Sequence, residues 1–320
     1  MKFILIPVIS AAIFFLIAIV LILSQPPKGF ASSETLDFPQ GGSDEPLSEL
    51  LTYTARDGAD LGYRELAGSG AGDMILVHGS GWHGAAYEPL ARAISDRCGY
   101  RVIVPDLRGH GPLAAPRGDV AYVGQMEDDL ADLMDHLGLD DAVFAGHSSG
   151  GGLVIRFAGG EHATRMTRAI LIAPFLKYNA PTARDDSVWA QPLTRRIIGL
   201  SMLNAVGIKA LNGLTAIEFN LPETVLATEQ GQWATKSYSY RLNAGYAPRS
   251  DYLADIAALP PFLLLAGSED AAFRPEQYEP VMAAASVKGT YDVIPGLGHL
   301  GILDAPETTE AIAAFLDCAQ

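Results

Sequence analysis

Cysteine is scarce in this sequence of 320 residues, which contains only Cys98 and Cys318. Counted alone, two cysteines are most often two buried thiols. The seven histidines show no H-E-x-x-H pattern, and neither cysteine belongs to a paired-cysteine motif, so the ligand spacings that hold metal ions are missing. We therefore expect no bound metal.

Basic residues are also few, with 22 lysines and arginines against 37 aspartates and glutamates and a formal net charge of -15. Because nucleic-acid binding depends on clustered basic side chains that neutralise phosphates, nucleic acid is excluded as a partner. Hydrophobic residues make up 49% of the chain, which at this length is enough to bury the core of one large domain or two smaller ones.

One long hydrophobic run lies at the N-terminus. Residues 3–23 carry no charge, and only Pro7 and Ser10 interrupt the apolar side chains. Such a run can cross the roughly 30 Å hydrocarbon core of a bilayer, so residues 1–24 are predicted to form a transmembrane anchor. A cleaved secretory signal is the alternative, although its only small-residue cleavage site, at 29–31, lies well past the run.

The charges that flank this run favour a cytoplasmic N-terminus, with Lys2 before it and mainly acidic residues after it. We therefore expect a single-pass membrane protein whose remaining chain lies outside the cytoplasm. Residues 25–50 are rich in proline, glycine and serine and are interpreted as a tether to a folded domain at 51–320.

Short apolar runs alternate with helix-spaced segments through most of this domain, beginning with a hairpin that turns at Asp57-Gly58. Eight strands are predicted, over residues 51–55, 60–65, 74–78, 101–105, 142–145, 169–173, 262–266 and 290–294. Their alternation with helices predicts an α/β fold, with a mostly parallel eight-stranded sheet flanked by helices on both faces.

The alternation stops after the sixth strand. Residues 174–259 contain no clear strand, and helices are expected over 193–214 and 223–240. This insertion is interpreted as a helical cap over the strand ends, where open sheets bind ligands.

The sequence around Ser148 joins a strand to a helix through a sharp turn. Apolar residues 142–145 lead into Gly146–Gly150 (GHSSG), and an apolar helical segment follows. This is the context of a nucleophile elbow, in which glycines on both sides of the serine let strand and helix pass closely and leave the hydroxyl exposed. The five-residue pattern also arises by chance in a chain with 33 glycines, so it needs partners elsewhere.

A serine hydroxyl becomes a strong nucleophile only when a histidine, held by a carboxylate, removes its proton. His299 follows the last predicted strand and is the only histidine after the insertion, so it is predicted to be the base. At the end of the preceding strand, Asp270 is preferred over Glu269 because its short side chain can turn toward the end of the sheet. Ser148, Asp270 and His299 are therefore the candidate catalytic residues.

Attack by serine on a carbonyl group also requires donors for the developing oxyanion. The backbone N–H of Ser149, at the N-terminus of the helix after the turn, supplies one. The other is expected from the loop after the 74–78 strand, from Ser80 with Gly81 as the second choice. Trp82 lies either near the substrate-binding pocket or in the core.

Residues 79–84 (GSGWHG) also match the G-x-G-x-x-G pattern of dinucleotide-binding proteins, with Asp106 at the end of the next strand. Against this, Trp82 and His83 put bulk where the phosphates would lie, and the turn around Ser148 is left unexplained. No dinucleotide or other cofactor is therefore expected.

Five motifs occur in order along the chain: HGSG at 78–81, DLRGHG at 106–111, GHSSG at 146–150, GSED at 267–270 and GH at 298–299. Together they resemble the α/β-hydrolase superfamily, and most of all its lysophospholipase and monoacylglycerol-lipase-like branch, also described as serine aminopeptidase S33-like. The resemblance covers about residue 52 to the C-terminus apart from the cap. One departure is Pro112 after the DLRGHG motif, where a small polar residue is common in the family. The resemblance implies a Ser148, Asp270 and His299 triad, hydrolysis through an acyl-enzyme and no cofactor.

The resemblance also bears on the cysteines. In this superfamily the first and last helices of the sheet share one face, so Cys98 and Cys318 are expected to come close. In a domain outside the cytoplasm, a disulfide then becomes an alternative to two free thiols.

The sequence thus predicts a membrane-anchored serine hydrolase that cleaves carboxylic esters of small molecules or lipids. The lipid assignment rests on the predicted anchor and on apolar cap residues, which could equally pack on the sheet. One alternative is an amide or peptide hydrolase, with Glu218 or Glu223 presenting a carboxylate to a substrate amino group. The other is a catalytically silent binding protein of the same fold.

Overall fold

The computed structural model describes residues 2–29, 35–38, 46–184 and 189–318, with backbone alone for residues 2–8. Within these ranges the strands are β1 (Leu51–Thr54), β2 (Asp60–Leu66), β3 (Gly72–Val77), β4 (Tyr100–Pro105), β5 (Ala142–His147), β6 (Met166–Ile172), β7 (Ala190–Pro192), β8 (Thr215–Phe219), β9 (Ser237–Ser239), β10 (Phe262–Gly267) and β11 (Gly289–Ile294). The α-helices are α1 (Lys2–Leu23), α2 (Glu88–Cys98), α3 (Gln125–Leu137), α4 (Ser149–Ala158), α5 (Thr194–Ala205), α6 (Glu223–Leu226), α7 (Tyr240–Gly245), α8 (Tyr252–Ala258), α9 (Tyr278–Ala283) and α10 (Pro306–Phe315).

Eight of these strands form one sheet, in the order β1-β2-β4-β3-β5-β6-β10-β11. The hairpin of β1 and β2 and the contact between β2 and β4 are antiparallel, whereas the other neighbours pair in parallel. The mostly parallel sheet predicted from the sequence is thereby confirmed. Because parallel strands end at the same edge, the loops after β3, β5, β10 and β11 meet there.

Helices cover both faces of the sheet, which explains why its central strands appear in the sequence as unbroken apolar runs. In β3, Ile75 and Val77 pack with residues of α3 and α4 on one face. Met74 and Leu76 pack with residues of α2 and α10 on the other. All four side chains are fully buried, as the two-residue period of a strand between two helix layers requires.

The cap lies between β6 and β10 and contains a sheet of its own, formed by β7, β8 and β9 in antiparallel pairs. The prediction of a cap without strands is therefore wrong. These strands have only three to five residues each, which is too short to show an alternating pattern.

The two helices expected in the cap are also shorter than predicted. Residues 193–214 form a helix only over α5, and residues 223–240 hold α6, a 3-10 turn at Gln230–Trp233 and β9. A side chain at Gly231 would collide with the backbone of Val225, so glycine is what lets the chain fold back on α6 there.

Within the described part of the chain, no helix combines the length and the apolar character needed to cross a membrane. The transmembrane anchor predicted for residues 1–24 is therefore not supported by the structure. The second half of α1 packs against α5 of the cap, where Ala18 and Ile22 are buried with Leu200. Gly199 makes this approach close, because a Cβ there would collide with the carbonyl oxygen of Ala18.

The predicted tether at 25–50 contacts the folded domain wherever the structure describes it. The backbone N–H groups of residues 28 and 29 donate hydrogen bonds to the carboxylate of Glu218 in the cap, at 3.1 and 2.9 Å. Residues 30–34 and 39–45 lie outside the described residues. The described segments are hydrogen-bonded to the domain, which differs from the free spacer that their composition suggested.

The two cysteines meet at the ends of two packed helices. Cys98 ends α2, Cys318 follows α10, and the two form a disulfide with their Cα atoms 5.0 Å apart. The closeness of the two cysteines implied by the family resemblance is therefore present, and of the two alternatives that the sequence left open the structure shows the disulfide.

Candidate active site

Ser148 lies in the turn between β5 and α4, with a φ of 54° and a ψ of -122°. A non-glycine residue in this region is strained, and such strain is typical of a nucleophile elbow. A Cβ at Gly146 would collide with the backbone of Gly150, and one at Gly150 would collide with the backbone carbonyls at residues 77 and 78. The crossing of strand and helix therefore needs both glycines, as the sequence predicted.

The structure brings Ser148, His299 and Asp270 together at the carboxyl edge of the sheet. The Nε2 atom of His299 lies 3.0 Å from Oγ of Ser148, and its Nδ1 atom lies 2.9 Å from Oδ2 of Asp270. Asp270 follows β10, and His299 follows β11. All three residues are buried, with 5% or less of their surface exposed.

Asp270 is held as a carboxylate by several donors. Its Oδ1 accepts the backbone N–H groups of Ala272 and Phe273 at 2.7 and 2.9 Å. Burial opposes ionisation, but His299 and these donors outweigh it and hold the pKa of Asp270 below its usual value. The carboxylate accepts the Nδ1 proton of His299, which leaves Nε2 free to take the proton of Ser148. Glu269, the alternative acid, is exposed.

Two backbone N–H groups near the nucleophile are free to bind an oxyanion. Across the described residues, no hydrogen-bond acceptor is found for the N–H of Ser80 or of Ser149. The N–H of Gly81 donates to Oη of Tyr238 at 2.5 Å and is thus occupied. Ser80 is therefore the better second donor, and Ser149 begins α4, where the helix dipole favours negative charge.

A chain of hydrogen bonds that the sequence did not reveal joins the oxyanion loop to the loop of His299. The N–H of Gly79 donates to Oη of Tyr87, which donates in turn to Nδ1 of His147, both at 2.8 Å. Nε2 of His147 then donates to the carbonyl of His299 at 2.9 Å. Burial, with a contribution from His299, lowers the pKa of His147 to about 3, so this ring is neutral. His147 lies inside the GHSSG motif, but nothing in its residue type indicated this role.

His78 fixes the other end of the oxyanion loop. The ring is fully buried, its Nε2 accepts the N–H of Leu107 at 3.1 Å, and its Nδ1 donates to the carbonyl of Gly79 at 2.8 Å. Burial lowers the pKa of His78 to about 4, so the ring is neutral and can both donate and accept. The backbone next to Ser80 is thereby held in place.

A cavity of about 860 Å³ opens onto the nucleophile, and its wall includes Ser80, Ser148 and His299. Trp82 lies in this wall, half-buried, with its ring stacked on His83 at a centroid distance of 4.9 Å. It therefore serves both in the pocket and in packing.

Trp189 of the cap is a pocket residue that the sequence did not reveal. It lines the same cavity, and its Nε1–H donates to Oγ of Ser80 at 3.2 Å. It lies more than 100 positions from the oxyanion loop in a region of no recognised motif, so only the fold brings it to the site.

Two carboxylates considered for an amino group of the substrate do not line this cavity. Glu218 binds the backbone of residues 28 and 29, and Glu223 begins α6. Neither supports the aminopeptidase alternative through the contact predicted for it.

Asp106, the acid of the dinucleotide pattern, is occupied as well. It is buried, accepts the N–H of Gly84 at 2.7 Å and lies 3.5 Å from the Arg64 guanidinium, so it is not available to a ribose. Among the residues that the structure describes, no three histidine, cysteine or acidic side chains lie close enough together to hold a metal ion.

A mostly parallel sheet, a strained serine between strand and helix, and a histidine and an aspartate on loops after the last two strands define an α/β-hydrolase. The profile of the hydrolase family described as serine aminopeptidase, S33, matches residues 69–305, and the chain belongs to this family. The family predicted from the sequence motifs is therefore confirmed.

Solved structures agree with this assignment. A thermophilic esterase from Thermogutta terrifontis is 27% identical, with a TM-score of 0.58 over 84% of this chain and 98% of that one. The monoacylglycerol lipase of Paleococcus ferrophilus is 20% identical, with a TM-score of 0.61 over 80% of this chain and 98% of that one. The second likeness concerns the fold alone.

Curated relatives match over shorter stretches. A non-heme chloroperoxidase from Kitasatospora aureofaciens is 35% identical over 120 residues, which are 38% of this chain and 42% of that protein. A non-heme haloperoxidase from Rhodococcus erythropolis is 37% identical over 126 residues, which are 37% of this chain and 42% of that protein. These matches span less than half the length of the relatives.

Proposed function

We propose that this protein is a serine hydrolase that cleaves carboxylic esters through an acyl-enzyme intermediate. The observation that carries the proposal is the 3.0 Å contact between Oγ of Ser148 and Nε2 of His299, with the other ring nitrogen on Asp270. This is the geometry that activates a serine hydroxyl by general-base catalysis.

In the first half of the reaction, Oγ of Ser148 attacks the ester carbonyl carbon while Nε2 of His299 takes its proton. The negative charge that develops on the carbonyl oxygen is bound by the N–H groups of Ser80 and Ser149. Asp270 stabilises the imidazolium that forms. When the tetrahedral intermediate collapses, His299 gives the proton to the leaving alcohol, and the acyl group stays on Ser148.

In the second half, a water molecule attacks the acyl-enzyme carbonyl and His299 takes one of its protons. A second oxyanion forms in the same place and is bound by the same two donors. Collapse of this intermediate breaks the bond to Oγ of Ser148, which regains a proton from His299. A carboxylic acid leaves, and the free enzyme is restored.

The wall of the cavity supports an ester with an apolar acyl part. Several of its side chains are apolar, including Leu36, Phe38, Trp82, Trp189 and Leu300. The similarity to the thermophilic esterase supports an ester as the substrate.

The proposal is tested with the full chain and p-nitrophenyl esters of butyric, octanoic and lauric acid, beside the p-nitroanilides of the same acids. We expect ester hydrolysis that is lost in Ser148→Ala and in His299→Ala, with much slower turnover of the anilides. Anilide hydrolysis as fast as ester hydrolysis would instead support an amidase. A folded wild-type protein without turnover of either series would leave the silent binding protein as the better account.

We also propose that the domain lies outside the cytoplasm, because disulfides such as that between Cys98 and Cys318 persist mainly in oxidising compartments. Attachment to a membrane through residues 3–23 stays a prediction. Separation of cells into membrane and soluble fractions shows whether the protein is attached to a membrane. Protease treatment of intact cells shows whether the domain lies outside the cytoplasm.

A further inference from the structure

The segment at residues 35–38 of the predicted tether reaches the candidate active site. Residues 35–38 precede the part of the chain that matches the family profile, yet Leu36 and Phe38 line the cavity beside Ser148 and His299. Leu36 is buried and Phe38 is half-buried. The pocket therefore contains a wall that the hydrolase fold itself does not supply.

Asp37 joins this segment to the loop of the catalytic histidine. Its Oδ1 accepts the N–H of Leu300 at 3.0 Å, and its Oδ2 accepts the N–H of Gly301 at 2.9 Å. A Cβ at Gly298 would collide with the same carboxylate. Asp37 thus contacts the chain on both sides of His299 and sets the position of its neighbour Phe38.

Phe38 packs against two tryptophans that flank the oxyanion loop. Its ring centroid lies 6.1 Å from that of Trp82 and 5.7 Å from that of Trp189. Trp189 is fixed in turn by its hydrogen bond to Ser80 and by stacking on Phe219 at 5.4 Å. The phenyl ring is therefore held between the loop that carries the oxyanion donor and the cap.

The segment is also fastened to the cap before it reaches the pocket. Oγ1 of Thr35 donates to the carbonyl of Asn220 at 2.8 Å. Farther back, the N–H groups of residues 28 and 29 donate to Glu218. Bonds on both sides of Leu36 therefore fix the ring of Phe38 at the wall of the cavity.

We propose that Phe38 is a specificity-determining residue, whose ring limits the length of the acyl chain that the pocket accepts. This rests on the proposed ester hydrolase function. The ring takes up part of the cavity wall beside Trp82 and Trp189, which is space that a long acyl chain on Ser148 would need. Removal of the ring enlarges the pocket toward the cap.

The test compares wild type, Phe38→Ala and Phe38→Leu in the full chain, with Tyr178→Ala as the control because this exposed aromatic residue does not line the cavity. The ratio of kcat/KM for p-nitrophenyl laurate to that for the butyrate is measured for each. We expect the ratio to rise at least about fivefold in Phe38→Ala, because added room admits further methylene groups, with a smaller rise in Phe38→Leu. The control keeps the wild-type ratio. An unchanged or lower ratio in Phe38→Ala overturns the proposal.

A second measurement does not depend on turnover. Calorimetry measures the binding of laurate to Ser148→Ala and to the double variant with Phe38→Ala. We expect the double variant to bind laurate at least about threefold more tightly, since the space left by the Phe38 ring is opened to the acyl chain of laurate. Equal affinities, or no binding to either protein, overturn the proposal even if the wild-type protein hydrolyses no ester.

Discussion

Asp270 is the residue on which the charge balance of the candidate triad depends. In Asp270→Asn the carboxylate that accepts the Nδ1 proton of His299 is lost, so the ring no longer presents Nε2 in the form that takes a proton. We expect kcat for an ester to fall about 10³- to 10⁴-fold, as loss of a triad carboxylate does in other serine hydrolases. Glu269→Gln is the matched control, because Glu269 is the adjacent carboxylate and is exposed. Equal losses in the two variants would contradict the choice of Asp270.

Tyr87 links the oxyanion loop to the histidine loop through a single hydroxyl group. In Tyr87→Phe the N–H of Gly79 loses its acceptor and His147 loses its donor. We expect the free energy of unfolding to fall by about 1–3 kcal/mol, the cost of a buried donor left unpaired. We also expect kcat to fall about tenfold, because both loops contribute to the reaction.

Tyr291→Phe controls for the loss of a tyrosine hydroxyl, because no hydrogen-bond partner of this Oη is found within the described residues. Urea denaturation and ester kinetics of the two variants give the comparison. If Tyr87→Phe behaves like Tyr291→Phe, the hydrogen-bond chain does not support the site.

At the scale of elements, the crossing of β5 and α4 depends on the absence of side chains. A methyl group at Gly150 would meet the backbone carbonyls at residues 77 and 78, and a central strand cannot move away. We expect Gly150→Ala to lose about 3 kcal/mol of unfolding free energy and most of its activity.

Gly213→Ala is the control for this substitution, since the heavy atom nearest to its added Cβ is a guanidinium nitrogen of Arg241 at 3.6 Å, an ordinary contact, and its φ is not left-handed. Thermal denaturation followed by circular dichroism measures both variants. An unaltered melting temperature in Gly150→Ala would mean that the close approach is not required.

The disulfide ties α2 to the end of α10 across 220 residues of sequence. Replacement of both cysteines by serine is expected to lower the free energy of unfolding by about 2–4 kcal/mol. Reduction of the wild type should lower its melting temperature to that of the serine variant. Intact mass with and without reductant reports the bond directly. Identical masses would show that the cysteines are not joined.

The elements that the sequence predicted well are those whose signal is local. The GHSSG motif, the apolar strand before it and the apolar helix after it are contiguous in the sequence. Its glycines are required for steric reasons, and the close backbone contacts at Gly146 and Gly150 confirm this. In the cap, by contrast, strands of three to five residues give no readable period. They are stabilised by pairing with each other and by packing on the sheet domain, which no single segment encodes.

At the scale of the whole molecule, Ser148, Asp270 and His299 could be predicted as neighbours from the sequence. Each follows a predicted strand, and parallel strands end at the same edge of a sheet. The sequence did not place Asp37 or Trp189, because they lie outside every motif and reach the site only through tertiary contacts. The composition of residues 25–50 suggested a spacer, but Asp37 has two backbone donors in the histidine loop to bind. Partners of this kind are visible only in the folded chain.

The proposed function depends on Ser148 being an activated nucleophile. Labelling of the full chain with a fluorophosphonate tests it most directly, because the probe reacts with activated serines whatever their substrate. We expect one label, located on Ser148 by peptide mass analysis and absent from Ser148→Ala and His299→Ala. A folded wild-type protein that takes no label, or takes it equally well without His299, would contradict it.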